Sequence, residues 1–173
     1  MSCPSEARLA AAVAGEDLTA AIAGGLSLSV SGYPFFGSDI GGYREGTPTT
    51  EVLSRWAQYA ALGTIMQLGG GGPSHNPWDA ALYPAPALDI YRTYARLHMA
   101  LNPLLWTLAQ AAGADGTPVT RPCGFVYPDA GCDDAMFLLG DDLLVAPAGP
   151  GRRRRRHAGH APVRAGGEVL DVM

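Results

Sequence analysis

The apolar positions of the chain change their period twice. Between residues 6 and 31, Leu9, Val13, Ile22 and Leu26 recur on a drifting helical stripe among many alanines, which predicts a small-residue helix with Gly24 and Gly25 as its break point. The run Ser31-Gly32-Tyr33-Pro34-Phe35-Phe36-Gly37-Ser38-Asp39 then reads as a buried strand ending in a polar residue, bounded on its far side by Gly41-Gly42. From Thr50 to Leu62, Val52, Leu53, Trp56, Tyr59 and Ala60 fall at helical spacing behind an N-cap candidate. Thr64-Ile65-Met66-Gln67-Leu68 is a second short strand, followed by four glycines and the loop Pro73–Trp78. A long helix is expected from Ala87 to Ala112, kinked or divided at Pro103.

Strand, loop and helix thus occur twice in order, the alternation of a parallel β/α sheet. From Gly116 onward the text becomes short apolar runs between turn signals: Pro118–Val126, Phe137–Leu139 and Asp142–Pro147. These predict strands of an antiparallel module, with the boundary near residues 113–117.

Composition changes this picture only at the ends. A chain of 173 residues, 47% hydrophobic and 16% charged, suits one globular domain. No apolar run approaches the roughly 18 residues of a membrane span, and the start of the chain lacks the pattern of a signal peptide. All 12 basic residues are Arg, a bias that fits a GC-rich gene. Residues 1–148 hold 14 acids and 6 Arg, a charge of −8, whereas residues 149–173 hold 2 acids and 6 Arg, a charge of +4. The five consecutive arginines Arg152–Arg156 have no interleaved aromatic residue, so the stretch reads as a disordered or frameshifted tail, with neither nucleic acid nor membrane as partner. Cys3, Cys123 and Cys132 lack metal-ligand spacing and cannot pair completely; neither a zinc site nor a disulfide framework is expected, and a reducing, cytoplasmic location follows. The glycine run from Gly69 to Gly72 has no Gly-Lys-Ser/Thr ending and is not a phosphate loop. No metal and no cofactor are expected.

The segment from Ser31 to Tyr43 resembles the S-G-x-P-[FY]-[FWY]-G-x-D-I-G-G-[FY] block of glycoside hydrolase family 31, the α-glucosidase and α-xylosidase family. Further blocks agree in order: Arg55-Trp56, Pro77-Trp78, Pro118-Val119-Thr120-Arg121-Pro122, Tyr127-Pro128-Asp129, and Leu139-Gly140-Asp141-Asp142-Leu143-Leu144-Val145-Ala146-Pro147. The resemblance implies an α/β fold. Residues 1–115 would be the last two β/α units of a (β/α)8 barrel, residues 116–148 the start of a β-sandwich, and residues 149–173 the tail. In such barrels the chemistry lies at the carboxyl ends of the strands, where Asp39 falls. The resemblance makes Asp39 and Tyr43 sugar contacts, because a carboxylate accepts hydroxyl hydrogens and an aromatic face packs on the C–H face of a sugar. The competing reading of Asp39 is a cap on the turn at Ile40-Gly41-Gly42.

The chain also departs from the family pattern. A retaining glycosidase needs two carboxyl groups about 5 Å apart. The family's nucleophile lies on the fourth barrel strand, which this chain does not contain. Its acid/base would fall around Leu9–Val13, where the residues are Leu-Ala-Ala-Ala-Val, and Glu6, Glu16 and Asp17 lack its Gly-Asp setting. No catalytic residue is therefore assigned. The family's Arg-x-His-Gly on the eighth strand is replaced by Gln67-Leu68-Gly69-Gly70. Gln67 still donates to a hydroxyl, and His75 is a surface residue unless the glycine-rich loop folds back to bring it to the pocket. Trp78 is either a sugar platform or packing. The candidate substrate contacts are thus Asp39, Tyr43, Gln67, His75 and Trp78, with an α-linked oligosaccharide or glycoside as ligand. The expected function is that of an α-glycosidase fragment, inactive alone. The alternative is a non-catalytic carbohydrate-binding or split-barrel subunit that pairs with another chain.

Overall fold

The computed structural model describes residues 17–43, 46–69 and 75–147, together with the backbone at 169–170. Helix α1 (Asp17–Val30) lays Leu18, Ile22 and Leu26, one turn apart, into the core. The expected break at Gly24-Gly25 does not occur, and the helix runs through both. Packing supplies the reason. A Cβ on Gly25 would lie 2.6 Å from the Phe36 ring, so the absent side chain is what lets the helix meet the aromatic run. A Cβ on Gly24 would meet nothing within 4 Å. Gly24→Ala should therefore raise stability by up to about 1 kcal/mol through helix propensity. Gly25→Ala should lower it, because overpacking of ~1–3 kcal/mol exceeds the same gain. Thermal melts of the two variants moving in opposite directions check this. Leu9 and Val13, the first half of the expected stripe, lie outside the described residues.

Helix α2 (Thr50–Ala61) matches its sequence pattern. The Thr49 side chain caps it by accepting from the Val52 N–H, and Val52, Leu53, Trp56, Ala57, Ala60 and Ala61 are buried. The long helix expected from Ala87 is divided where proline demands it. Helix α3 (Ala87–Ala100) ends at Leu101, and helix α4 (Asn102–Asp115) begins with Pro103 in its first turn. Gly116, at φ 79°, closes α4 in the left-handed conformation. His98 ties α3 to the end of α2 through Nδ1 and the Ala61 carbonyl, 3.0 Å apart.

The two expected barrel strands are extended segments, 33–39 and 65–69, that meet through one parallel bridge between Asp39 and Gln67. The Ile40 N–H donates to the Gln67 carbonyl at 3.1 Å. Nearer the start of the pair, Thr64 stands in for a ladder. Its hydroxyl accepts from the Phe36 N–H at 2.8 Å and donates to the Phe36 carbonyl at 2.7 Å. A threonine hydroxyl thus satisfies the backbone groups that a continuous sheet would pair.

The second module is a short sheet of order β1 (Thr120–Pro122), β2 (Phe137–Leu139), β3 (Leu143–Val145) and β4 (Val169–Leu170). The first two pairings are antiparallel, as the sequence predicts, and β4 adds in parallel. One correction concerns the run to Val126, whose second half is a single helical turn, α5 (Cys123–Val126). Cys123 and Cys132 correct the cysteine reading. They form a disulfide across nine positions, with Cα atoms 5.7 Å apart. The chain doubles back there, and the Cys123 N–H donates to the Met136 carbonyl at 2.8 Å, which brings the two cysteines together. An odd cysteine count excludes complete pairing, not one bond.

One core joins both modules. Residues of α1 and α2 share it with Ile40, Tyr83, Val119, Phe137, Leu139 and Val145. The Ser29 hydroxyl, buried at the end of α1, donates to the Thr120 carbonyl of β1. Arg121 clamps the β2–β3 turn by donating to the Gly140 carbonyl and the Asp141 carboxylate. Among the described residues no helix is long and apolar enough to cross a membrane.

Candidate functional site

Period-two geometry decides which side chains meet at the extended pair. Phe36 and Ser38 turn toward the helices: the Phe36 ring lies over Gly25, and the Ser38 hydroxyl accepts from the Trp56 indole N–H at 2.8 Å. Phe35, Gly37 and Asp39 therefore share the opposite face, and Ile65, Gln67 and Gly69 share it from the neighbouring segment. Among the described residues no helix covers this face, and Phe35 and Ile65 remain 50% and 42% exposed. Gly37 is fitted to its neighbour, since a Cβ there would lie 2.6 Å from the Ile65 Cβ.

Asp39 stands at the end of this face. Its backbone carbonyl accepts from the Gly42 N–H at 2.9 Å, which closes the following turn. Its side chain does something else: Oδ1 accepts from the Gln67 Nε2 at 2.9 Å. The carboxylate is thus not the cap of the Ile40-Gly41-Gly42 turn. Beneath that turn Ile40 is fully buried, and Gly41, at φ 88°, has no room for a side chain between Pro48, Leu53 and His75. The turn is fixed from below while Asp39 faces outward.

The other candidates divide. His75 is 3% exposed and packs against Gly41, so the expectation of a surface residue is corrected; the imidazole supports the Asp39 turn from underneath. Tyr43 and Trp78 are 53% and 58% exposed, with Pro77 buried beside Trp78. Glu6 and Glu16 lie outside the described residues, as does the side chain of Asp17. Among the described residues no group of three His, Cys, Asp or Glu gathers to hold a metal ion.

Two features escape the sequence reading. The Trp56–Ser38 bond anchors the strand end next to Asp39, a contact that neither the helical spacing of Trp56 nor the Arg55-Trp56 block reveals. Gly69 is the second. A Cβ on it would lie 1.5 Å from Asp39 Oδ1, so this glycine is the floor under the carboxylate. The parity of residues 67 and 69 was the available signal. Tyr59 packs with Phe137 on the helix side, and burial pushes its phenol up to about 12.

Comparison with known proteins agrees with this arrangement. The family model described as "Glycosyl hydrolases family 31 TIM-barrel domain" matches residues 11–108. An α-xylosidase of Emericella nidulans is 34% identical over 135 residues, 76% of this chain and 17% of that protein. Human neutral α-glucosidase AB is 35% identical over 127 residues, 70% of this chain and 13% of that protein. Among solved structures, a cycloalternan-forming enzyme from Listeria monocytogenes in complex with a pentasaccharide substrate superposes with a TM-score of 0.70 at 30% identity, over 76% of this chain and 13% of that one. A family 31 α-xylosidase from a soil metagenome, complexed with xylose, gives 0.64 at 26% identity over 75% of this chain and 23% of that one. The chain thus spans less than a quarter of the length of each of these relatives.

Proposed function

This chain belongs to glycoside hydrolase family 31, and from that premise we propose that it is the sugar-binding wall of an α-glycosidase barrel whose catalytic carboxylates lie elsewhere. Residues up to 115 are the last two β/α units of that barrel, and residues 116–148 begin the β-sandwich behind it. Asp39 accepts hydroxyl hydrogens of an α-linked sugar, Tyr43 and Trp78 offer apolar faces, Gln67 orients the carboxylate, and His75 holds the turn. The parent reaction is hydrolysis of a terminal α-glycoside with retention. Alone the chain binds but does not cleave.

One observation carries this reading. The Asp39 carboxylate is directed onto the uncovered face at the carboxyl end of an extended segment, with its own backbone already closing the turn it might otherwise cap. Calorimetric titration with methyl α-D-xyloside and methyl α-D-glucoside tests it. Binding should be weak, roughly millimolar, and abolished by Asp39→Ala; heats unchanged by that substitution would refute the assignment.

The uncovered face also favours the second reading, a subunit that completes a split barrel. Phe35 and Ile65 are half exposed there, and among the described residues one isolated bridge pairs the two segments, which leaves strand edges for a partner to cover. A covering partner would be made of further β/α units. A cytoplasmic location rests on the cysteine composition alone, and the Cys123–Cys132 bond weighs against it.

A further inference from the structure

We infer that Gln67 and Gly69 act together as a positioning pair for Asp39, so that this carboxylate meets its ligand through one oxygen, Oδ2. The inference rests on the reading of Asp39 as a sugar contact and deepens it. Three observations carry it. The parallel bridge between Asp39 and Gln67, with the Ile40 N–H on the Gln67 carbonyl at 3.1 Å, fixes the two backbones side by side. Residues in register on one face of neighbouring strands bring their side chains together, and here Gln67 Nε2 reaches Oδ1 at 2.9 Å. Gly69, the next residue on that face, leaves the space into which the carboxylate leans. A Cβ there would lie 1.5 Å from Oδ1 and 2.2 Å from Cγ, closer than any side-chain rotation of a held carboxylate allows.

The two residues do different work. Gln67 carries only an amide, so it orients Oδ1 without neutralising it, and the remaining negative charge stays available to a hydroxyl donor. Gly69 contributes no polar atom and acts by volume alone. Together they select one orientation of Asp39 before a ligand arrives, which lowers the ordering cost of binding. The ligand class is a neutral sugar that presents a hydroxyl to Oδ2.

The test is the side-chain amide of Gln67 in the 15N-labelled full chain, followed by NMR, with the Trp56 indole N–H as reporter of fold because it bonds Ser38 one residue from Asp39. In the unaltered chain one Gln67 amide proton should resonate downfield of the other side-chain amides. Asp39→Asn, which keeps the shape, should remove most of that shift with the Trp56 signal unmoved. Gly69→Ala should remove it as well by expelling the carboxylate from its seat. Should Gly69→Ala unfold the chain, Asp39→Asn and Gln67→Ala decide. A Gln67 amide identical in the unaltered and Asp39→Asn chains overturns the inference. Titration with methyl α-D-xyloside separates it from the functional reading. A downfield Gln67 proton with no response to the sugar sustains the positioning pair and refutes the sugar assignment. Sugar binding undiminished in Gln67→Ala refutes the pair, which predicts an affinity loss of roughly tenfold.

Discussion

Phe137→Ala should cost about 3–5 kcal/mol, the usual range for deleting a fully buried aromatic side chain. Phe137 is 1% exposed and meets Tyr59 edge to face, with ring centroids 6.0 Å apart and planes at 85°. It also shares a small cavity with Gly25 and Leu26 of α1, Phe36 and Thr64 of the extended pair, and Thr120 of β1. Helices α1 and α2, the first extended segment and β1 therefore all border the space around this ring. Domains of this size hold only about 5–15 kcal/mol in total, so the substitution removes a large share. The midpoint of urea unfolding measures it, and a loss below about 1 kcal/mol would mean that the β module is not joined to the helices through this core. The wider consequence is that residues 116–147 are not an independent appendage of the β/α part.

Hydrolysis is the second large effect. Cleavage with retention needs a nucleophile and an acid/base about 5 Å apart, and at this site the Asp39 carboxylate is held by an amide, Gln67. Purified chain should therefore leave p-nitrophenyl α-D-xyloside and α-D-glucoside intact at the uncatalysed rate. Supplying further family 31 barrel units should bring turnover into being. In that assembled form Asp39→Ala should lower kcat/KM by roughly 10- to 150-fold, since a hydrogen bond to a charged acceptor is worth ~1.5–3 kcal/mol and tenfold in rate corresponds to about 1.4 kcal/mol.

Much of this was legible in the sequence, for reasons tied to particular residues. Helix α2 follows from its own periodicity, and the split between α3 and α4 from Pro103, because both effects are local. The aromatic run and the family blocks put Asp39 at a strand end. What escaped depended on contacts distant in sequence. Gly24 and Gly25 look alike in a helical stripe, yet one faces open space and the other the Phe36 ring. His75 lies in a polar, proline-bounded loop that reads as surface, and its burial depends on a fit against Gly41 and its turn. The cysteines were judged by spacing and parity, whereas their pairing comes from the chain reversing after α5. Gly69 stands in the sequence only as the first of four glycines; its packing against Asp39 is the more specific fact.

The central proposal is that this chain forms one wall of a family 31 sugar pocket through Asp39 and cleaves only together with further barrel units. Complementation measures it most directly: the chain is mixed with the Emericella nidulans α-xylosidase from which the corresponding segment has been deleted, and release of p-nitrophenol from the α-xyloside is followed. The account predicts no release by either piece, release by the mixture, and loss of that release with Asp39→Ala. Turnover by the chain alone, or turnover by the mixture that ignores Asp39→Ala, would contradict it.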